Sequence, residues 1–185
     1  MQNSNRSLPL QPAVNDCGGF DIRITPDGKW HYQGSPIARM GLVRLFASAL
    51  KRDAAGDYWL ETPAERGRIQ VDDAPFVAVE LSIEGTGRAQ RLRFRTNIDE
   101  TVTADGAHPI HLRPGPAGRA GALRPYLRLR GGLEALIARP VYYSLVDIAV
   151  ERSVDGAAEI GVWSSGVFFP LAPVDQAERS AADPS

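Results

Sequence analysis

The chain has 185 residues, 43% hydrophobic and 23% charged, the balance of a globular protein with room for one large or two small domains. A formal net charge of −1 provides no global field toward nucleic acid or an anionic membrane, and neither is expected as a partner. The single cysteine, Cys17, excludes an internal disulfide, and no apolar run approaches the roughly 20 residues of a membrane helix, so a cytoplasmic location is expected.

Residues 1–18 carry polar residues and prolines without periodicity and read as a disordered leader; Met1 to Leu10 lacks the apolar stretch of a signal peptide. Ile22 and Ile24 alternate with Arg23, Thr25-Pro-Asp-Gly28 supplies turn chemistry, and Trp30 and Tyr32 alternate again, which predicts a hairpin. Because Trp30 and Tyr32 share one strand face, they are expected to share one environment. Ser35-Pro36 offers an N-cap followed by proline, and Leu42, Leu45, Phe46, Ala49 and Leu50 fall at helical spacing, predicting a helix over 36–52. Strands follow at 58–60, 68–71 and 76–83, and residues 19–87 make a first unit.

A second unit is expected over 88–172. Leu92 and Phe94 alternate with Arg91, Arg93 and Arg95, predicting a strand with one apolar and one guanidinium face. Short strands are expected at Val102 and Ile110 to Leu112, then a flexible loop over 113–124, then a strand through Tyr126, Leu127 and Leu129. Leu133 to Arg139 reads as helical, with Pro140 breaking or restarting the helix. Ile160 to Trp163 and Val167 to Phe169 form a closing hairpin, and 173–185 reads as a disordered tail.

The two units echo each other at an offset of one hundred residues. Ala38-Arg39, Leu45, Ala49, Arg52 and Gly56 recur as Ala138-Arg139, Leu145, Ala149, Arg152 and Gly156. Repetition of a helix with its flanks implies duplicated strand–helix–strand units, hence an α+β fold with mostly antiparallel sheets and a cleft between units suited to a ligand.

Phe20-Asp-Ile-Arg-Ile24, Trp30-His-Tyr-Gln-Gly-Ser-Pro-Ile37, Asp73-Ala-Pro-Phe76, Leu92-Arg-Phe-Arg-Thr-Asn97, Gly131-Gly-Leu-Glu-Ala-Leu-Ile-Ala-Arg-Pro140 and Gly161-Val-Trp-Ser-Ser-Gly166 together resemble the DUF-1285 family, over roughly residues 18–172. The resemblance implies a duplicated α+β core whose second half is pleckstrin-homology-like. It also implies a nucleotide-like ligand at the interface and a signalling role, with no established activity.

Charge is segregated along the chain. Residues 88–130 hold nine arginines against Asp99, Glu100 and Asp105, while residues 60–85 hold six acids against Arg66 and Arg68. Either the arginines form a patch for a small anion, since guanidinium forks grip phosphate bidentately, or they pair with the acidic segment. The candidate ligand-binding residues are Trp30, Tyr32, Arg39, Arg93, Arg95, Asn97 and Arg139. The aromatics would stack a base and the arginines would hold an anion, against the plainer roles of core and solvated face. His31, His108 and His111 lack metal-ligand spacing, no catalytic motif appears, and neither metal nor cofactor is expected. An enzyme acting on a phosphorylated metabolite remains the alternative, with Glu65, Asp73 or His108 as acid or base. A protein partner is a third, should Trp163, Phe168 and Phe169 form an exposed patch.

Overall fold

The computed structural model describes residues 15–116, 123–154 and 157–172. The expected leader thus extends at most to residue 14, because the first strand already begins at Asn15; residues 1–14 and the tail from 173 lie outside the described residues. Among the described residues, fifteen strands and two α-helices make the fold mostly β rather than α+β. They form two six-stranded mixed sheets and one three-stranded sheet.

The first sheet comprises β1 (Asn15–Ile24), β2 (Trp30–Tyr32), β3 (Ser35–Pro36), β4 (Leu50–Arg52), β5 (Tyr58–Glu61) and β6 (Glu65–Val71), in spatial order β3-β2-β1-β6-β5-β4. The second comprises β7 (Phe76–Glu84), β8 (Arg91–Thr96), β9 (Thr101–Thr103), β10 (Ile110–Pro114), β11 (Leu123–Arg128) and β12 (Glu134–Ile137), in order β10-β11-β12-β7-β8-β9. Each sheet is two antiparallel meanders joined by one central parallel pair, β1 with β6 and β12 with β7. The third sheet is the antiparallel meander β13 (Val150–Val154), β14 (Ala157–Ser164) and β15 (Val167–Pro170). Sequence reading places 76–84 in the first unit, but these residues pair only within the second sheet.

Helix α1 spans Met40–Ala49 and α2 spans Arg139–Asp147. Both are shorter than expected, for local reasons. Ser35-Pro36 does not cap α1: these residues pair with His31 and Tyr32 as an edge strand, where proline's missing N–H costs nothing. At the other end Leu50 turns extended and enters β4 against Leu60. The stretch 134–137 is a strand, not a helix, because all four residues are buried between β11 and β7; such a run carries no period to read. Pro140 neither breaks nor kinks anything, since it sits in the first turn of α2, where no N–H is required.

The offset of one hundred has a structural counterpart. In both halves a short strand leads into a helix and then an antiparallel meander: β3, α1, β4–β6 and β12, α2, β13–β15. Arg52 and Arg152 occupy the first strand of each meander, and each lies over an aromatic ring, Tyr58 at 5.4 Å and Phe168 at 4.1 Å. The two meanders differ in where they dock. β6 pairs with β1, whereas the β14–β15 turn fastens to the second sheet: Ser164 Oγ accepts from Leu92 N at 3.0 Å and donates to Ala104 O at 2.6 Å.

One hydrophobic core runs through both units, from Ile22, Trp30 and Val43 to Phe76, Phe94, Leu127, Leu145 and Phe169. The expectation of an exposed aromatic hairpin is corrected here: Phe168 and Phe169 are buried, and Trp163 lies half-buried beneath the Arg88 guanidinium at 4.2 Å.

Candidate functional site

The most concentrated chemistry lies on the face of the second sheet opposite its main core. Register pairs His111 with Tyr126, Arg113 with Arg124 and Tyr126 with Leu136, so alternation puts these side chains and Glu134 on one face. The linker between the sheets crosses that face. Asp73, its side chain wholly buried, accepts from Tyr126 Oη at 2.7 Å, from Arg113 at 3.3 Å and from Arg124. Glu134 accepts from His111 Nε2 at 3.0 Å and from Arg113 Nε at 3.1 Å, with Arg52 of β4 at 3.8 Å. The Arg113 guanidinium lies 3.7 Å over the Tyr126 ring.

Electrostatics follow from this packing. Burial alone pushes the Glu134 carboxyl up, but the His111 hydrogen bond and the charges of Arg113, His111 and Arg52 outweigh it and leave it below the ordinary range. Tyr126 is pushed well up, first by burial and then by donating to the charged Asp73. The neighbouring Asp72 turns the other way and takes Arg23 of β1 in a fork, Nε at 3.0 Å and Nη2 at 2.8 Å. Two consecutive aspartates therefore clamp one sheet each.

The proposed ligand residues are dispersed. Trp30 is 2% exposed, stacked at 6.3 Å on Phe46 in the core, while Tyr32 is 51% exposed; β2 is three residues long and leaves the core between them. Arg93 donates to Glu84 at 2.7 Å, and Arg95 donates to Glu80 at 2.8 Å and Asp99 at 2.9 Å. Glu84 and Glu80 come from the acidic segment and Asp99 from the turn after β8, so Arg93 and Arg95 pair across to β7 and into that turn. Asn97 is a staple between units: its Oδ1 accepts from Val77 N at 3.0 Å and its Nδ2 donates to Gly28 O at 2.9 Å. Arg39 is exposed at the start of α1, and Arg139 is exposed as the first residue of α2; neither side chain has a partner among the described residues. Glu65, Asp73 and His108 do not meet. Asp73 is enclosed by its arginines, His108 turns to Asp105 at 3.2 Å, and Glu65 stands on the rim of a pocket in the first unit. Among the described residues no three His, Cys, Asp or Glu side chains gather as a metal site requires.

Two pockets occupy equivalent places in the repeat, where the strand before each helix meets that helix. The first, about 440 Å³, is lined by Phe20, Ile22, Tyr32, Ile37, Leu42, Phe46 and Leu60, with Thr62 and Glu65 at the rim. The second, about 310 Å³, is lined by Leu123, Pro125, Leu136, Ile137 and Tyr142 together with Arg124 and Arg139. Ile37 and Leu42 in the first correspond to Ile137 and Tyr142 in the second. Sequence reading singled out Arg139 but missed Arg124, Arg113, His111 and Glu134; the only sequence signal for the first three is alternation within β10 and β11, and Glu134, in the wholly buried β12, has none.

Family models for the DUF1285 N-terminal domain, a domain of unknown function, and for the DUF1285 C-terminal domain match residues 11–74 and 75–171. The chain belongs to the DUF1285 family. The two matches meet within the Asp72–Pro75 linker, where the sheets divide. A DUF1285 family protein from Silicibacter pomeroyi DSS-3 is 45% identical, with a TM-score of 0.79 over 90% of this chain and 87% of that one. A DUF1285 family protein from Shewanella baltica OS155 is 26% identical, with a TM-score of 0.51 over 68% of this chain and 89% of that one. No curated protein matches. No helix among the described residues is long and apolar enough to cross a membrane.

Proposed function

We propose that this DUF1285 protein is a ligand-binding module for a small anion, a phosphate or carboxylate carried on an apolar or aromatic body, held in the pocket at the start of α2. The observation that carries the reading is Arg139. Its guanidinium lines the pocket beside Arg124, has no carboxylate partner among the described residues, and stands at a helix start with no side-chain cap. An uncapped helix start is the positive end of the helix dipole, and guanidinium forks hold phosphate through paired, charge-assisted hydrogen bonds. Leu123, Pro125, Leu136 and Tyr142 offer the apolar surface for the ligand's body. At about 310 Å³ the pocket is at the small end of ligand sites, which favours a mononucleotide-sized ligand or smaller over a dinucleotide.

The regulatory part of the proposal rests on Arg124, which lines the pocket and also grips Asp73 in the linker. An anion that draws on Arg124 competes with Asp73, so occupancy weakens one of the clamps between the sheets. A thermal-shift series with inorganic phosphate, phenyl phosphate, nucleoside monophosphates and benzoate tests this reading. A saturable rise in Tm for phenyl phosphate, absent in Arg139→Ala, supports it; no shift with any of these anions contradicts it.

A further inference from the structure

The first-unit pocket differs in chemistry from its counterpart. Phe20, Tyr32 and Phe46 contribute three aromatic rings, Leu42 and Leu60 aliphatic surface, and the charge on its lining comes from Glu65 alone. The Glu65 carboxylate has no ion-pair or hydrogen-bond partner among the described residues. Thr62 beside it is already engaged, because its Oγ1 donates to Glu65 O at 3.1 Å and accepts from Glu65 N at 3.0 Å. Tyr32 and Leu42 remain 51% and 37% exposed, so the pocket opens to water between β2 and α1.

An anion is disfavoured here by Glu65, and a neutral apolar molecule leaves that carboxylate unused. A cation satisfies both halves of the lining: ring faces attract positive charge through their quadrupoles, and the carboxylate adds a direct charge. The volume of about 440 Å³ falls within the range of small-molecule sites.

We propose that the pocket between α1 and the first sheet binds an organic cation, an ammonium group on a short alkyl or single-ring body, with Glu65 opposite the charge. The duplicated halves then hold ligands of opposite sign in equivalent places, Glu65 marking one pocket and Arg139 the other.

Calorimetric titration of the full chain with hexyltrimethylammonium, 1-hexanol and hexanoate tests this. The ammonium should bind about tenfold more tightly than the alcohol, and hexanoate more weakly than either. In Glu65→Gln the ammonium should weaken several-fold toward the affinity of the alcohol, which itself stays unchanged, the ring faces keeping the remainder. Ala49 also lines the pocket, so Ala49→Phe, which places a ring in it, should abolish binding of both. Because Glu65 is exposed, its variant tests the idea even if Ala49→Phe does not fold. Equal affinity for all three probes, ammonium binding indifferent to Glu65→Gln, or no binding at all overturns the proposal. So does self-association of the chain that is blocked by Ala49→Phe, since a second copy would then be the occupant.

Discussion

At the scale of single residues, burial separates the charged groups that hold the fold from those that decorate it. Asp73 is enclosed by two guanidiniums and a phenol, so Asp73→Asn weakens three charge-assisted contacts of a buried carboxylate and leaves two half-buried cations without their counter-charge, which should cost about 1.5 to 3 kcal/mol in urea unfolding. Arg95, roughly half-exposed like its partners Glu80 and Asp99, should by contrast leave the urea midpoint nearly unchanged when replaced by Ala. If the two variants behave alike, the distinction drawn here fails. Gly28 shows a steric version of the same point. Its φ of +76° suits glycine, and a Cβ there would stand 2.6 Å from Nδ2 of Asn97, the residue that staples the units. Sequence made the Gly28 turn and the alternation of β8 legible because both are local. It did not reveal the burial of Asp73, whose partners lie 40 to 53 residues further along the chain.

At the scale of elements, period is visible in sequence only where an element has two unlike faces. β8 buries every second residue, and its strand was readable for that reason. β12 is buried along its whole length, so Glu134–Ile137 carries no alternation and its sequence reads as helix. The start of α2 makes a testable case, since Pro140 stands in the first turn and removes no intrahelical hydrogen bond. Pro140→Ala should therefore change stability by less than about 1 kcal/mol, where a proline within a helix interior costs about 3 kcal/mol. A large loss on chemical denaturation would mean that the proline pins the strand-to-helix corner instead. The helix face is equally informative: α1 buries Val43 and Ala47 while α2 buries Val141 and Leu145, so the duplicated helices turn different faces inward.

For the whole molecule, a core shared by both units and the linker clamps join the two sheets. Arg23 with Asp72 ties the linker to the first sheet, and Arg113 and Arg124 with Asp73 tie it to the second. Glu134, gripped from β10 and approached by Arg52 of β4, couples the same region to pH. Its folded-state pKa is depressed, so its contribution is present above the ordinary glutamate value near 4.5 and is lost as pH falls through the folded value. Glu134→Gln should consequently melt below the wild type at neutral pH, with the gap closing as the pH drops beneath that range. A gap that stays constant with pH would contradict the assignment. The duplication was legible in sequence because it rests on repeated residues. The separate docking of the third sheet was not, because it depends on Ser164 meeting Leu92 and Ala104 across the fold. Calorimetric titration of phenyl phosphate into wild type, Arg139→Ala and Arg93→Ala probes the anion site at the start of α2. Wild type and Arg93→Ala should show saturable one-site binding, and Arg139→Ala a loss of about tenfold or more. Equal affinity in all three proteins would place the anion elsewhere and contradict this assignment.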